Sequence, residues 1–382
     1  MRRVVGDRVA VWAVVKADAY GHGAEQAARV FIDAGADGLC VATLDEALLL
    51  RRAGIGAPIL VLFRAPTELV AEAAEAGLQL VIADEATVEE ILRRWSEVRR
   101  GALALGELRL HVEVESGLAR AGIRPDGVAV VARAIADTPG VRLDGLWTHF
   151  ASGEDSGPTA EQLAAFERAA AAIRDAGLPL PRRHVAASLA LFAGTAPHYD
   201  GVRPGLSLYG LLPAGFVPAP HLVPLADDLR PAMTLKCRPL RIETLAPGTG
   251  VGYGSHWRAE RTSRIATLPV GYGDGWARAS WPGSSVLVRG RRVPLVGTVA
   301  MDAVMADVTD VAQAGLEDEF VLLGQQGDEL ITAAELARLR NTISWEIVTA
   351  MAYRLPRVYH AGSVLMGVRT LAGEHRTHGD GK

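Results

Sequence analysis

Lys16 closes the apolar run Val9-Ala10-Val11-Trp12-Ala13-Val14-Val15 and opens the segment Ala17-Asp18-Ala19-Tyr20-Gly21-His22-Gly23. Such a run suits a strand buried on both faces, which places the lysine amine at the exit of a desolvated element. Desolvation favours the neutral, nucleophilic form of lysine, and a neutral amine can form a Schiff base with a carbonyl. The alternative is a solvated strand-end lysine whose stem lies along apolar surface. Other residues able to do chemistry also stand at the ends of apolar runs: Glu113, Glu115 and Arg120; His149; His184 and Ser188; Arg203 with Gly205. Each has an ordinary account as well. The histidines can be hydrogen-bonded at a core edge, Arg203-Pro204-Gly205 can be a turn, and Ser188 is expected to cap a helix whatever else it does. A helix N-terminus also binds phosphate, so the last two readings of Ser188 are compatible.

The elements that must position these residues alternate through the first two hundred positions. Strands are predicted at 8–15, 38–42, 58–63, 79–83, 108–114, 141–149, 182–187 and 201–203. Helices are predicted at 22–35, 45–53, 67–77, 85–99, 125–138, 158–176 and 188–194. This is the arithmetic of a (β/α)8 barrel, whose active sites gather at the C-terminal ends of the strands. An open doubly wound sheet would show a G-x-G-x-x-G turn after its first strand, and Gly21-His22-Gly23 is not one. The predicted fold class is therefore α/β, with a TIM-type barrel over residues 1–225. A proline-rich stretch, 212–232, reads as the linker to a mainly antiparallel β domain over residues 226–382. There the strand-like runs are 233–243, 264–269, 285–289, 292–305 and 319–323, with one helical piece at 332–340. Two glycine clusters carry tyrosines, Val251-Gly252-Tyr253-Gly254 and Gly271-Tyr272-Gly273-Asp274-Gly275-Trp276, beside Ala300-Met301-Asp302. They could hold tyrosines outward in tight turns or simply be hairpin turns with packed aromatics. The polar end, 373–382, is expected to be disordered. The barrel count yields only seven helices for eight strands. Only about seven residues precede the first strand, so a bare groove between strands eight and one, or further upstream residues, is expected.

Hydrophobic residues make up 49% and charged residues 22% of the 382 positions, as in a globular protein able to bury a large core. The net charge of −4 gives no electrostatic reason to expect nucleic acid or anionic membrane as a partner. Two distant cysteines, Cys40 and Cys237, offer neither a metal site nor a disulfide framework, and no apolar run is long enough to span a bilayer. A cytoplasmic location is the default expectation.

The segment Val14-Val15-Lys16-Ala17-Asp18-Ala19-Tyr20-Gly21-His22-Gly23 resembles the pyridoxal-phosphate attachment motif of alanine racemases. The similarity continues through Thr148-His149-Phe150, Val202 to Gly210, Gly252-Tyr253-Gly254, Pro269 to Trp276, Met301-Asp302 and Ala352 to Arg357. It implies a barrel followed by a β domain, and a homodimer whose sites take residues from both chains. Lys16 would hold pyridoxal 5'-phosphate and act as acid/base on one face of the substrate Cα, and Tyr253 of a second copy would serve the other. A free tyrosine has a pKa near 10 and must be activated. The resemblance gives His149 as its hydrogen-bond neighbour, linked onward to Arg203 and His184. Arg203 would face the pyridine nitrogen and, keeping its own proton, restrain the electron sink. Ser188, the Gly205 and Leu206 amides, Tyr20 and Tyr353 match phosphate-binding positions. Arg120 and the Met301 N–H of the second copy match those receiving the substrate carboxylate, and Asp302 falls among the supporting residues. Tyr272 and Tyr353 resemble a gate for small amino acids.

The sequence departs from the family in informative places. Many alanine racemases carry a lysine, carbamylated by CO₂, where Glu113 stands, so Glu113 is expected to steady Arg120 without modification. Ala187, Thr298 and Glu154 also differ from common family residues and leave room for serine or several amino acids as substrates. The family's strand and helix before the lysine strand are not found. The expected activity is interconversion of L- and D-alanine, supplying D-alanine for peptidoglycan. A non-catalytic pyridoxal-phosphate binder of the single-barrel kind is the alternative from another class, and the β domain with Tyr253 argues against it.

Overall fold

The computed structural model describes residues 1–101 and 106–375. The chain forms two compact units, one of Met1–Tyr20 with Ala24–Arg230, the other of Gly21–Gly23 with Pro231–Lys382.

The first unit is a closed barrel of eight parallel strands: β1 (Ala10–Val14), β2 (Gly38–Val41), β3 (Ile59–Val61), β4 (Leu78–Ile82), β5 (Leu108–Glu113), β6 (Val141–Trp147), β7 (Arg182–Ala187) and β8 (Gly201–Arg203). Helices cover it from outside, so both strand faces are buried and the strands read as continuous apolar runs. In β2, β3, β4 and β8 every residue is buried. No groove opens between strands eight and one: β1 pairs with β8 in the register Ala10↔Gly201 and Val11↔Val202. The helix missing from the sequence count is a single turn, α1 (Arg2–Val5), with Val5 buried. The Arg2 guanidinium ties it down, donating to the Val9 carbonyl at 2.7 Å, the Gly35 carbonyl at 2.8 Å and Asp37 at 2.5 Å. The remaining barrel helices are α2 (Ala24–Asp33), α3 (Leu44–Arg52), α4 (Val70–Glu75), α5 (Glu85–Gly101), α6 (Val128–Ala136), α7 (Ser156–Asp175) and α8 (Ser188–Ala193).

The second unit is mainly antiparallel. Its larger sheet has the order β10 (Arg241–Leu245), β13 (Ser263–Leu268), β16 (Val304–Asp307), β15 (Arg291–Val296), β14 (Ser285–Val288), β17 (Phe320–Gln326), β18 (Glu329–Ile331), and β9 (Leu235–Cys237) pairs with β17. The ribbon β11 (Gly250–Val251) with β12 (Trp257–Arg258) and the sheet β19 (Arg357–Ala361), β20 (Val364–Thr370), β21 (Gly373–His375) stand apart from it. Three expectations are corrected here. The run 292–305 is two strands, because Gly297, at φ 71°, turns the chain, and an added Cβ there would lie 2.6 Å from the Val251 carbonyl oxygen. The run 233–243 likewise divides into β9 and β10. A second helix, Ser344–Thr349, follows the anticipated one at Ala333–Leu339. At the C-terminal end, Gly373–His375 pairs with β20, and 376–382 lie outside the described residues.

The exit of β1 is the unusual piece of backbone. Ala17, Asp18, Ala19 and Tyr20 all lie in the left-handed region, at φ 52–55°, and Gly21 follows at 80°. The alanine-rich sequence gives no hint of this, since each L-residue in that region costs roughly 1–2 kcal/mol. The turn persists because its polar groups are held. The Ala17 N–H donates to Glu46 Oε1 at 2.6 Å, the Ala19 N–H to the Val15 carbonyl at 2.9 Å, and Asp18 Oδ1 accepts from the Ala24 N–H at 2.8 Å. Ala17 is exposed, so replacing it changes conformational preference without removing core contacts. Ala17→Gly is expected to stabilise the protein by about 0.5–1 kcal/mol in urea denaturation, against the usual direction of that substitution. A loss of similar size would show that the turn is not left-handed in solution.

Candidate active site

The barrel unit gathers Lys16, Tyr20, Glu113, Arg120, His149, Ser188, Arg203, Gly205 and Leu206 at or just beyond the C-terminal ends of β1, β5, β6, β7 and β8, while His184, expected at a strand end, lies inside β7. Lys16 is half-buried. Desolvation first, then the positive charge of Arg120, lowers its pKa from 10.5, with Arg203 adding to the effect and Glu46 opposing it. Glu46 was not anticipated as a site residue, yet a signal for it exists. Thr43 and Glu46 form a capping box at the start of α3, and the same carboxylate accepts from Ala17 and, through Oε2, from Ala42 at 2.7 Å. It thereby fastens the lysine turn to the neighbouring loop. Phe63, also unanticipated, is 41% exposed and has Lys16 Nζ 6.0 Å and the Arg120 guanidinium 5.5 Å from its ring centre.

Arg203 is buried at the end of β8. Its NH1 donates to His184 Nδ1 at 2.7 Å and to the His184 carbonyl at 2.5 Å; its NH2 donates to the Thr148 carbonyl at 2.7 Å and the Val185 carbonyl at 3.3 Å. Those four bonds use the four terminal hydrogens. The Nε–H is the fifth donor, without a protein acceptor among the described residues. Burial lowers the guanidinium pKa to about 10, so it is still cationic at neutral pH. The Trp147 ring lies 4.6 Å from the guanidinium carbon. The expected linkage from the His149 ring to Arg203 is not made. The guanidinium takes the backbone carbonyl of Thr148 instead, because all its terminal hydrogens are committed to carbonyls and to His184. His149 is nonetheless under its influence: desolvation, then Arg203, Arg120 and Lys16, push its pKa down to about 3, which keeps the imidazole neutral.

Glu113, at the end of β5, is buried, and burial outweighs the nearby guanidinium groups to raise its pKa. Its Oε1 is 3.5 Å from Arg120 NH2, a contact at the limit of a hydrogen bond, and Oε2 has no partner among the described residues. Arg120 is therefore beside Glu113 as expected, though loosely held.

Ser188 does not cap a helix. Ala187 occupies the cap position, and Ser188 is the first residue inside α8. Its hydroxyl faces the next strand's loop, where Oγ accepts from the Gly205 N–H at 2.9 Å and the Ser207 N–H at 3.3 Å, with Ser207 Oγ at 3.0 Å. The Gly205 amide is thus engaged. The Leu206 N–H is the end donor of the 3-10 turn Leu206–Tyr209, a position no preceding turn satisfies. An added Cβ on Gly205 would lie 2.6 Å from the Tyr20 hydroxyl oxygen, so the glycine admits the phenol to this corner.

The second unit carries Tyr253, Tyr272, Met301, Asp302 and Tyr353. Tyr253 is 74% exposed, and its carbonyl accepts from Thr298 Oγ1 at 3.2 Å. Gly252, at φ 72°, lies in the left-handed region that favours glycine, and an added Cβ would press on the Thr298 backbone N at 3.2 Å. Arg354, missed as a site residue, joins two turns. Its Nε donates to Asp274 at 2.8 Å and its NH2 to Asp302 at 2.6 Å. The Gly273 N–H donates to the Met301 carbonyl at 2.8 Å, so Tyr272, Met301 and Asp302 are held together. Tyr353 is exposed, with the buried Arg369 4.3 Å over its ring. Among the described residues no group of three or more His, Cys, Asp or Glu could hold a metal ion, and no helix is long and apolar enough to cross a membrane.

Comparison with known proteins gives the family. Residues 1–213 match the alanine racemase N-terminal domain and residues 232–359 the alanine racemase C-terminal domain. The chain is 39% identical over 362 residues to the alanine racemase of Sorangium cellulosum, covering 91% of each, and 41% identical over 350 residues to that of Symbiobacterium thermophilum, covering 91% of this chain and 89% of the relative. Among solved structures, alanine racemase from Bacillus anthracis with bound L-Ala-P superposes with a TM-score of 0.88 at 32% identity, covering 97% of this chain and 93% of that one. Histidine racemase from Leuconostoc mesenteroides gives 0.81 at 26% identity, covering 93% and 92%. On matches to both domain families and to curated relatives near 40% identity across nine-tenths of the chain, this protein belongs to the alanine racemase family of isomerases.

Proposed function

We propose that this chain interconverts L- and D-alanine with pyridoxal 5'-phosphate as cofactor, working as a homodimer in the cytoplasm to supply D-alanine for peptidoglycan. The observation that carries this reading is an amine of lowered pKa, Lys16 after β1, on the same barrel end as the buried cation Arg203 of the adjoining β8, whose one unengaged donor is Nε–H. The residues present fit the cofactor: an amine for its aldehyde, a single N–H for its ring nitrogen, and the Ser188, Leu206 and Tyr20 donors for its phosphate. When bound, the cofactor supplies an electron sink that acidifies the substrate Cα–H.

The remaining work falls to this chain's side chains. Arg120, supported by Glu113, receives the substrate carboxylate together with the Met301 N–H of a second copy, whose turn Asp302 and Arg354 brace. Inversion at Cα requires a proton to leave one face and another to arrive on the opposite face, so two bases are needed. Lys16 serves one face and Tyr253 of the second copy the other. The neutral ring of His149 is the acceptor for the Tyr253 hydroxyl. Tyr272 and Tyr353 restrict the site to small amino acids. Serine racemisation is the second reading, favoured by the small Ala187 beside Ser188.

Lys16→Ala and Tyr253→Phe are each expected to abolish or cripple racemisation, and borohydride to fix pyridoxal phosphate to the wild type but not to Lys16→Ala. Dissociating and re-annealing the two variants in equal amounts should restore roughly a quarter of wild-type activity, because half the dimers are hybrids with one intact site of two. No recovery in verified hybrids would show that the two residues do not serve one shared site.

Glu113→Gln is expected to raise KM for alanine about tenfold with a smaller change in kcat, as removal of a group that positions the carboxylate receptor should. Stripping bicarbonate should leave the wild type unchanged. A bicarbonate-dependent wild type would contradict the assignment.

The lowered pKa of Lys16 fixes a sign for stability. At pH 7 the amine's charge is held against desolvation and against Arg120 and Arg203, with Glu46 as the favourable charge. Lys16→Met should therefore stabilise the cofactor-free protein at pH 7. The folded wild type loses its proton before the unfolded chain does, so its stability rises with pH and the advantage of the variant should shrink toward pH 10.5. Denaturant midpoints measured between pH 7 and 10.5 check this, and an advantage that grows with pH would refute it.

A further inference from the structure

Barrel interiors are ordinarily filled by branched apolar side chains. Here four buried polar side chains from four strands form one line across the interior: Gln79 of β4, His111 of β5, His184 of β7 and Arg203 of β8. Arg203 NH1 is 2.7 Å from His184 Nδ1, His184 Nε2 is 2.9 Å from His111 Nδ1, and His111 Nε2 is 2.7 Å from Gln79 Oε1. Space is made for it. A Cβ on Gly145 of β6 would lie 2.0 Å from His111 Nδ1, so only glycine leaves room for that ring. Trp12 packs edge-on to His111, and Trp147 lies parallel to His184.

The proton positions follow from the arginine end. A guanidinium only donates, so His184 Nδ1 must accept and the proton of the neutral ring sits on Nε2. That N–H donates to His111 Nδ1, which places the second ring's proton on its own Nε2, from which it donates to the Gln79 oxygen. Every bond then runs in one direction, away from Arg203. A proton added to either ring would set two donors against each other in a buried line. Burial and the Arg203 charge both favour the neutral rings.

We infer that Gln79 and His111 are positioning residues for the reaction: the acceptor at Gln79 fixes the tautomer of His111, hence that of His184, and so the orientation of the Arg203 guanidinium. The consequence for catalysis rests on the reading above that Arg203 Nε–H meets the cofactor ring nitrogen; the direction of the chain does not. With NH1 held by this line and NH2 by the Thr148 and Val185 carbonyls, the guanidinium cannot rotate, and Nε–H points to one place.

Long-range 1H–15N spectra of histidine-labelled protein, first without cofactor, test the chain directly. The wild type should show both rings as Nε2–H tautomers, unchanged between pH 5.5 and 9. A Nδ1–H tautomer or a protonated ring at either position would overturn the proposal. Gln79→Met keeps the volume and removes the acceptor, whereas Gln79→Glu keeps the acceptor. The methionine variant should populate a second tautomer of His111 and shift the His184 Nδ1 resonance. After loading with pyridoxal phosphate, it should lose about tenfold in kcat with KM for alanine within about twofold. The glutamate variant should recover the tautomer and most of kcat at pH 8. Unchanged His184 resonances and unchanged kcat in a folded Gln79→Met would also overturn it. A wild type that shows the tautomers but takes up no cofactor would instead refute the reading of the site and leave the chain's direction standing.

Discussion

The site depends on one buried cation. Taking a guanidinium out of water is costly unless its donors are satisfied, and Arg203 meets that condition almost wholly with backbone carbonyls and one imidazole rather than with a carboxylate. The choice of neutral acceptors matters. A carboxylate would cancel the charge, whereas carbonyls satisfy the donors and leave the field intact. That field favours the neutral forms of Lys16, His149, His184 and His111, and the ionised form of Glu113 against its burial. A single unneutralised charge thus helps keep the His149 imidazole neutral and shifts the Lys16 amine toward the form that can accept a proton.

A charge can tune a base only if the base stays in place, and a lysine has a long stem. The exit of β1 supplies the fixed point. Four left-handed residues reverse the chain immediately after Lys16, and Glu46, Val15 and Asp18 hold their backbone groups. The strain is tolerated because these hydrogen bonds over-determine the turn. In the second unit the same end is reached differently. Glycine at 252 takes a left-handed backbone, glycine at 271 lets a turn pass where a side chain would collide, and Arg354 ties the turn of Tyr272 to that of Asp302 through two carboxylates.

These differences explain what could be read in the sequence. The barrel strands buried on both faces were legible as unbroken apolar runs; β3, Ile59–Val61, falls within the predicted 58–63. The left-handed turn was not, since Lys-Ala-Asp-Ala-Tyr has the composition of a helix and its conformation is imposed by distant groups. The run 292–305 hid a break because one glycine within apolar residues does not reveal its φ. Of the site residues, the strand-end positions could be named one by one, but their connections could not. Ser188 turned out to serve Gly205 and Ser207 rather than its own helix. Gln79 and His111 fall within the predicted strands 79–83 and 108–114 without any mark of their own, and only the closed barrel sets them in line with Arg203. Glu46 was within reach, because Thr43 and Glu46 carry a capping box in their spacing.

The likeness to a histidine racemase structure bears on where specificity resides. The same two-part architecture there accompanies an enzyme named for a large, aromatic substrate, so the architecture does not choose the side chain. Proton exchange at Cα is common to any amino acid and does not by itself select a side chain. Discrimination must then rest on exposed residues that can vary without disturbing the buried line. Phe63 has that character: its ring is open to solvent, makes no hydrogen bond, and lies under both the Lys16 amine and the Arg120 guanidinium. A residue so placed can change in size while Arg203, His184, His111 and Gln79 keep every partner they have. Separating the chemistry from the choice of substrate in this way lets one fold serve several amino acids.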